Sequence, residues 1–165
     1  MALILARHTR PIGAEGLCYG VTDLAPGDEL AADAARLAEL SGIERIVTSP
    51  LARAARLAEA VAAATGLDLS TDARLTEMNF GAWEGRKWDA IPRAELDAWA
   101  ADLLHARPHG GETVAEMAAR TKAALADCDG ALVITHMGVI KSALAETDHP
   151  DPWRAQLGFG QILRL

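Results

Sequence analysis

The chain is short of most things that would place it in a membrane or a disulfide-built fold. Its apolar opening, Leu3 to Leu5, is interrupted at once by Arg7 and His8. That run is far too short for a signal h-region or a bilayer span, so a cytoplasmic protein with no membrane partner is expected. Cysteine is scarce: Cys18 and Cys128 have neither CxxC spacing nor companions for a framework or a zinc site, and read as free thiols. Positive charge is in deficit, 16 Lys and Arg against 23 Asp and Glu, giving a formal net charge of -7. That excludes the basic footprint needed to displace counterions from nucleic acid, while leaving room for a local cationic cluster that holds a small anion. Repeats, linkers and low-complexity runs are absent too, so the 165 residues read as a single domain, 1–165.

What is present is an alternation of two patterns. Leu3-Ile4-Leu5, Ile46-Val47 and Leu132-Val133-Ile134 are short, apolar and partly β-branched, as strands covered on both faces are. Between them Leu30, Ala34, Leu37 and Ala38, and later Val114, Met117, Ala118, Thr121 and Leu125, recur at helical spacing. Ser49-Pro50 reads as an N-cap with Pro at the first helical position, and Thr113 with Glu116 as a capping box. The expectation is an α/β fold: a three-layer α/β/α sandwich on a mainly parallel sheet. A segment after Pro92, with Leu96, Trp99, Ala100 and Leu103 on one face, reads as part of a small helical cover inserted over about residues 78–112.

In open α/β sheets ligands bind beyond the carboxyl ends of the strands. The first strand runs into Arg7-His8, the second into Ser49 with Arg53 four residues on, and the third into Thr135-His136. Arg53, in a first helical turn, leans back toward the same rim, where free backbone N–H groups favour an anion. Singly, each residue has an ordinary reading: a hydrogen-bonded histidine, a solvated arginine, a helix start. Their convergence on one sheet edge is what structural needs alone do not supply. A metal is not expected, since neither His8 nor His136 has an HxH or HExxH neighbour, the surroundings are cationic, and Pro108 breaks any helical pairing of His105 with His109.

Leu5-Ala6-Arg7-His8-Thr9 resembles the signature of the histidine phosphatase (phosphoglycerate mutase-like) superfamily. Ser49-Pro50-Leu51-Ala52-Arg53-Ala54, Leu75 to Gly85, and Thr135-His136-Met137-Gly138-Val139-Ile140 are similar to its later motifs, in order and over nearly the whole chain. Within it the chain is most similar to the alpha-ribazole phosphatase branch, on Thr9, on Gly16 to Asp23, on Trp83 to Arg86 with Trp88, and on Gly110 to Thr113. Thr9 stands where the wider family has Gly, and the part from Asp148 to Leu165 is compact where longer members carry more helix.

The resemblance implies hydrolysis of a small phosphate monoester in two steps, with a phosphohistidine between them and no cofactor. His8 is then the nucleophile, Arg7, Arg53 and His136 the phosphate clamp, and Glu77 the acid and base. Thr9, Tyr19 and Thr22 join Arg7, Arg53 and His136 as substrate-binding candidates. Glu84 is a competing carboxylate that sits where the chain turns away. Of Trp83, Trp88 and Trp99, at least two read as core, with one free to stack on a ring such as a benzimidazole. Two rivals accompany this reading: a mutase of phosphoglycerate type, and a non-catalytic protein that binds a phosphorylated ligand. The partner expected is a small phosphorylated metabolite; oligomeric state is open.

Overall fold

The structure, a computed structural model, describes residues 2–165. Among them five strands form one sheet: β1 (Ile4–Arg7), β2 (Arg45–Thr48), β3 (Asp68–Thr71), β4 (Ala131–Thr135) and β5 (Ile162–Arg164), in the order β3-β2-β4-β1-β5. The first four run parallel, and β5 pairs antiparallel with β1 at the edge. The helices are α1 (Leu30–Ala38), α2 (Ala52–Thr65), α3 (Arg93–Ala101), α4 (Val114–Leu125) and α5 (Met137–Leu144).

Period-two alternation along the strands divides the core into two layers. Ile4, Ala6, Ile46, Leu132 and Ile134 face α1 and α2 through Ala34, Leu37, Leu57 and Val61. Leu5, Val47 and Val133 face the other way, onto Ala124 of α4 and Val139, Ile140 and Ala143 of α5. The result is the expected α/β/α sandwich with a mainly parallel sheet. Two strands carry no sequence signal: β3 is exposed at all four positions, and β5 is a short, half-buried edge.

Register places the chemistry. Arg7 pairs level with Thr135, and Thr48 with Ile134, so the residues that follow, His8, Ser49 and His136, leave the sheet together at its carboxyl edge. His8 N–H donates to the Thr135 carbonyl and Ser49 N–H to that of Ile134, each at 3.0 Å, extending the ladder just past the strands.

One helix start differs from expectation. α2 begins at Ala52 with Leu51 in the cap position, two residues after the Ser49-Pro50 start read from the sequence. The Ser49 hydroxyl is turned to His136 instead, and Asp23, from a distant loop, accepts the Ala52 N–H at 2.7 Å. The Thr113–Glu116 capping box forms as read.

Residues 72–113 contain short 3₁₀ turns and α3. They share a small aromatic core in which Trp83, fully buried with Cys18 and Ile91, meets Trp99 edge-on at 5.6 Å between ring centroids. Both cysteines are free and buried. Among the described residues no helix is long and apolar enough to cross a membrane.

Candidate active site

His8 is 2 % exposed, and its Nδ1 lies 2.7 Å from the Thr9 carbonyl oxygen. A carbonyl only accepts, so Nδ1 carries the proton and Nε2 keeps its lone pair. Burial, reinforced by the charges of Arg53 and Arg7 against the opposing Thr9 hydrogen bond, pulls the imidazole down to about 3. The ring is therefore a neutral base with one nitrogen committed to the backbone and the other bare.

Around it stand the three expected cationic or donor groups. Arg7 is half-buried, donates from Nη1 to the Leu157 carbonyl at 2.7 Å, and lies 3.9 Å over the Phe159 ring. Arg53 is fully buried and reaches across to the loop after β1, donating to the carbonyls of Thr22 at 2.7 Å and Gly20 at 2.5 Å. The His136 ring centre sits 5.0 Å from that of His8. Arg7 Nε, Arg53 Nε and His136 Nδ1 are all buried without a hydrogen-bond partner. An orphaned buried polar group costs roughly 1–3 kcal/mol, and of the eight such atoms among the described residues these three belong to the groups around His8.

Glu77 approaches from the 3₁₀ turn after β3. Its Oε1 accepts the Met78 N–H at 2.9 Å and its Oε2 the Gly138 N–H, in the first turn of α5, at 3.0 Å. Only glycine permits this, because a Cβ on residue 138 would collide with Glu77 Oε1. The backbone under Glu77 is held by Arg120 of α4, whose guanidinium donates to the carbonyls of Arg74, Thr76 and Glu77 and pairs with Glu112 at 2.7 Å.

A cavity of about 420 Å³ opens on these groups. Arg7, His8, Tyr19, Glu77 and Lys141 line its polar end, and Phe80, Trp88, Trp99, Leu103 and Trp153 its apolar wall. Of the three tryptophans weighed from the sequence, Trp83 is core, while Trp88 and Trp99 pack on that core and also face the cavity. Arg53 and His136, both fully buried, are not among the residues that line it.

Two substrate-binding candidates are placed elsewhere. The Thr9 hydroxyl donates to buried Asp33 at 2.9 Å, so the side chain braces α1 and only its carbonyl serves His8. Among the described residues no non-glycine residue has a positive φ, which explains how Thr9 occupies a position where Gly is usual. The Thr22 hydroxyl donates to Glu84 at 2.6 Å. Glu84 also accepts from the N–H groups of Gly20, Val21 and Phe80. Burial raises the Glu84 carboxyl, but these donors outweigh it and hold the group below its ordinary value. Glu84 thus fixes the loop whose carbonyls grip Arg53, and does not line the cavity.

The sequence reading passed over Asp33, Arg120, Lys141 and Phe159. Only Asp33 left a signal, a carboxylate among Leu30, Ala34 and Leu37 on the apolar face of α1. Gly20 is another such hidden constraint, since a Cβ there would run into the Met78 carbonyl. Gly20→Ala is expected to lower stability by about 2 kcal/mol or more and to loosen Arg53 with it, as thermal unfolding and phosphate affinity will show.

Burial also makes the site acid-sensitive. His8 is neutral when folded down to about 3, while the unfolded chain takes up a proton near the ordinary histidine value. Between those limits the unfolded state holds more protons, so stability is full above that ordinary value and declines as pH falls. The His8 share is about 1.4 kcal/mol per pH unit inside the window. His136, held well below its usual value by full burial and by the charges of His8, Arg53, Arg120 and Arg7, adds in the same direction. Urea unfolding at pH 7 and pH 5 should show this slope, and His8→Asn should reduce it.

A family model described as Histidine phosphatase superfamily (branch 1) matches residues 3–162. A Salmonella paratyphi B protein called "Probable phosphoglycerate mutase GpmB" is 36% identical over 108 residues, 63% of this chain and 50% of the relative. The chain thus spans about half the length of the curated relatives it matches. Among solved structures, mycobacterial glucosyl-3-phosphoglycerate phosphatase superposes with a TM-score of 0.83 at 26% identity, covering 99% of this chain and 88% of that one. A Thermus thermophilus protein superposes at 0.79 and 28% identity, covering 100% and 93%.

Proposed function

Because the chain belongs to branch 1 of the histidine phosphatase superfamily, whose members are phosphatases or mutases, we propose that it hydrolyses a small phosphate monoester through a phosphohistidine on His8. The observation that carries this reading is the set of buried, partnerless atoms, Arg7 Nε, Arg53 Nε and His136 Nδ1, gathered about a neutral His8 with Nε2 bare. A tetrahedral anion beside Nε2 gives all three a common partner. Arginine suits the task because its fork meets phosphate oxygens and keeps its charge when buried.

In the first step the Nε2 lone pair forms a bond to phosphorus as the ester P–O bond breaks. Glu77 enters this step as the neutral carboxyl, gives its proton to the leaving oxygen and is left as the carboxylate. Nδ1–H remains on the ring, and the Thr9 carbonyl stabilises the positive charge that phosphorylation develops there. In the second step Glu77 takes a proton from water, the hydroxide oxygen bonds to phosphorus, and the P–N bond breaks. His8 returns to its starting tautomer. The charge on the equatorial oxygens is met throughout by fixed donors.

The apolar wall supports a leaving group with a planar ring. In this reading residues 78–112 form the cover and contribute Phe80, Trp88, Trp99 and Leu103 to that wall. Alpha-ribazole 5'-phosphate, with its benzimidazole, is the candidate substrate. Lys141, the lysine at the polar end of the cavity, favours a second reading, an ester with a glycerate carboxylate, as in the names of the Salmonella and mycobacterial proteins. The discriminating experiment is a panel of p-nitrophenyl phosphate, alpha-ribazole 5'-phosphate and 3-phosphoglycerate, assayed with EDTA. Release of inorganic phosphate, fastest from the ring-bearing esters, is expected. Isomerisation of 3-phosphoglycerate with little phosphate release would instead identify a mutase, and binding of all three without turnover a non-catalytic protein.

A further inference from the structure

Ser49 stands in a motif at the sheet edge, yet it does not cap α2. We infer that Ser49 is a positioning residue for His136: its hydroxyl donates to Nε2 and fixes the neutral tautomer that presents Nδ1–H to a bound phosphate. The inference rests on the proposed function for the phosphate, but not for the tautomer.

Both residues are fully buried, and Ser49 Oγ lies 2.7 Å from His136 Nε2. The same oxygen is 3.3 Å from the Leu51 nitrogen. A hydroxyl has one proton and two lone pairs, and a backbone N–H can only donate. Leu51 therefore occupies a lone pair of Ser49, which leaves the hydroxyl proton to be placed. Among the described residues the acceptor within reach of it is His136 Nε2.

The opposite arrangement fails twice. If Nε2–H donated to Ser49, the serine proton would be left without an acceptor on a residue that is fully buried. His136 Nδ1 would also be a bare lone pair, repelling any anion bound beside His8. With Ser49 as donor both faults vanish, and the buried, partnerless Nδ1 becomes an N–H donor 
on a ring whose centre is 5.0 Å from that of His8. Full burial among Arg7, Arg53 and Arg120 opposes a second ring proton, so the group acts as a neutral donor. The formal positive charge of the clamp then resides on Arg7 and Arg53, and His136 contributes direction.

Nitrogen-15 NMR of the histidine rings reads the tautomer directly, with His136 assigned by comparison with His136→Gln. In the unliganded wild type at neutral pH, the expected spectrum has Nδ1 protonated and Nε2 unprotonated. Ser49→Ala should turn this into a mixture of tautomers and weaken inorganic phosphate binding by about tenfold, the loss of one oriented hydrogen bond to an anion. Ser49→Thr, which keeps the hydroxyl, should restore both readouts. A wild-type His136 with Nε2 protonated, or with both nitrogens protonated, overturns the inference. So does a Ser49→Ala protein whose tautomer is unchanged. If Ser49→Ala does not fold, the wild-type and Ser49→Thr spectra still decide. Absence of phosphate binding to the wild type would count against the clamp reading, while the ligand-free spectrum would still judge Ser49.

Discussion

His8→Ala is expected to abolish phosphomonoester hydrolysis, by about 10⁴-fold or more in kcat, without unfolding the protein. The nucleophile has no substitute nearby: His136 uses Nε2 on Ser49, and the remaining groups at the polar end of the cavity are cations, a phenol and a carboxylate. Such a loss corresponds to about 5.4 kcal/mol of transition-state stabilisation, more than removal of a single clamp donor would produce. The clamp survives the substitution, so inorganic phosphate should still bind. Activity assays paired with phosphate titration separate the two roles. Retained hydrolysis by His8→Ala would place the nucleophile elsewhere.

Under the proposed mechanism Glu77→Gln should produce a different signature, because the carboxyl group would serve the two half-reactions unequally. Nitrophenolate leaves readily without a proton, whereas an alkoxide does not. The first step should therefore survive on p-nitrophenyl phosphate and fall by about 10²–10⁴-fold on alkyl phosphates. Release of the phosphoryl group to water still lacks its base. A rapid-quench experiment should consequently show a burst of about one nitrophenolate per enzyme and then slow turnover, the pattern of an accumulating covalent intermediate. The amide can keep only part of the present geometry, since Glu77 now accepts N–H bonds through both oxygens. Equal losses on both substrate types with no burst would remove Glu77 from proton transfer.

How much of this was legible in the sequence depended on whether a residue's role was local or tertiary. Three of the four parallel strands, β1, β2 and β4, announced themselves because burial on both faces demands uninterrupted apolar runs, and the Thr113 capping box because both partners lie within one turn. Arg7, His8, Arg53 and His136 were visible through their positions at strand ends and their resemblance to ordered motifs, Glu77 through the resemblance alone, and the fold brings the five to one edge. β3 was silent because an exposed edge strand, Asp68-Leu69-Ser70-Thr71, needs no hydrophobic pattern. Thr9 reads as a substrate residue from its place in the motif beside His8, and Thr22 from its place in the loop after β1. Their actual partners, Asp33 and Glu84, lie 24 and 62 residues away and could not be inferred from spacing. Ser49 misled for the opposite reason: Ser-Pro is a strong local cap signal, and a buried histidine 87 residues distant outcompetes it.

The supporting residues show why the local reading was incomplete. Arg53 is held by backbone carbonyls of a loop that Glu84 ties down, and Glu77 by a loop that Arg120 ties down. Catalytic groups need such fixed surroundings, because an orientation error of an ångström forfeits much of the gain from prealigned donors.

The central claim, a phosphoryl group carried on His8 Nε2, is tested most directly by trapping it. Glu77→Gln protein mixed with p-nitrophenyl phosphate, quenched under alkaline conditions and digested, should yield a phosphopeptide containing His8, with the label stable to base and lost in acid. The account predicts one phosphate per chain at that residue and none in Glu77→Gln combined with His8→Ala. Phosphate on a serine or threonine, or hydrolysis with no covalent label on His8, would contradict it.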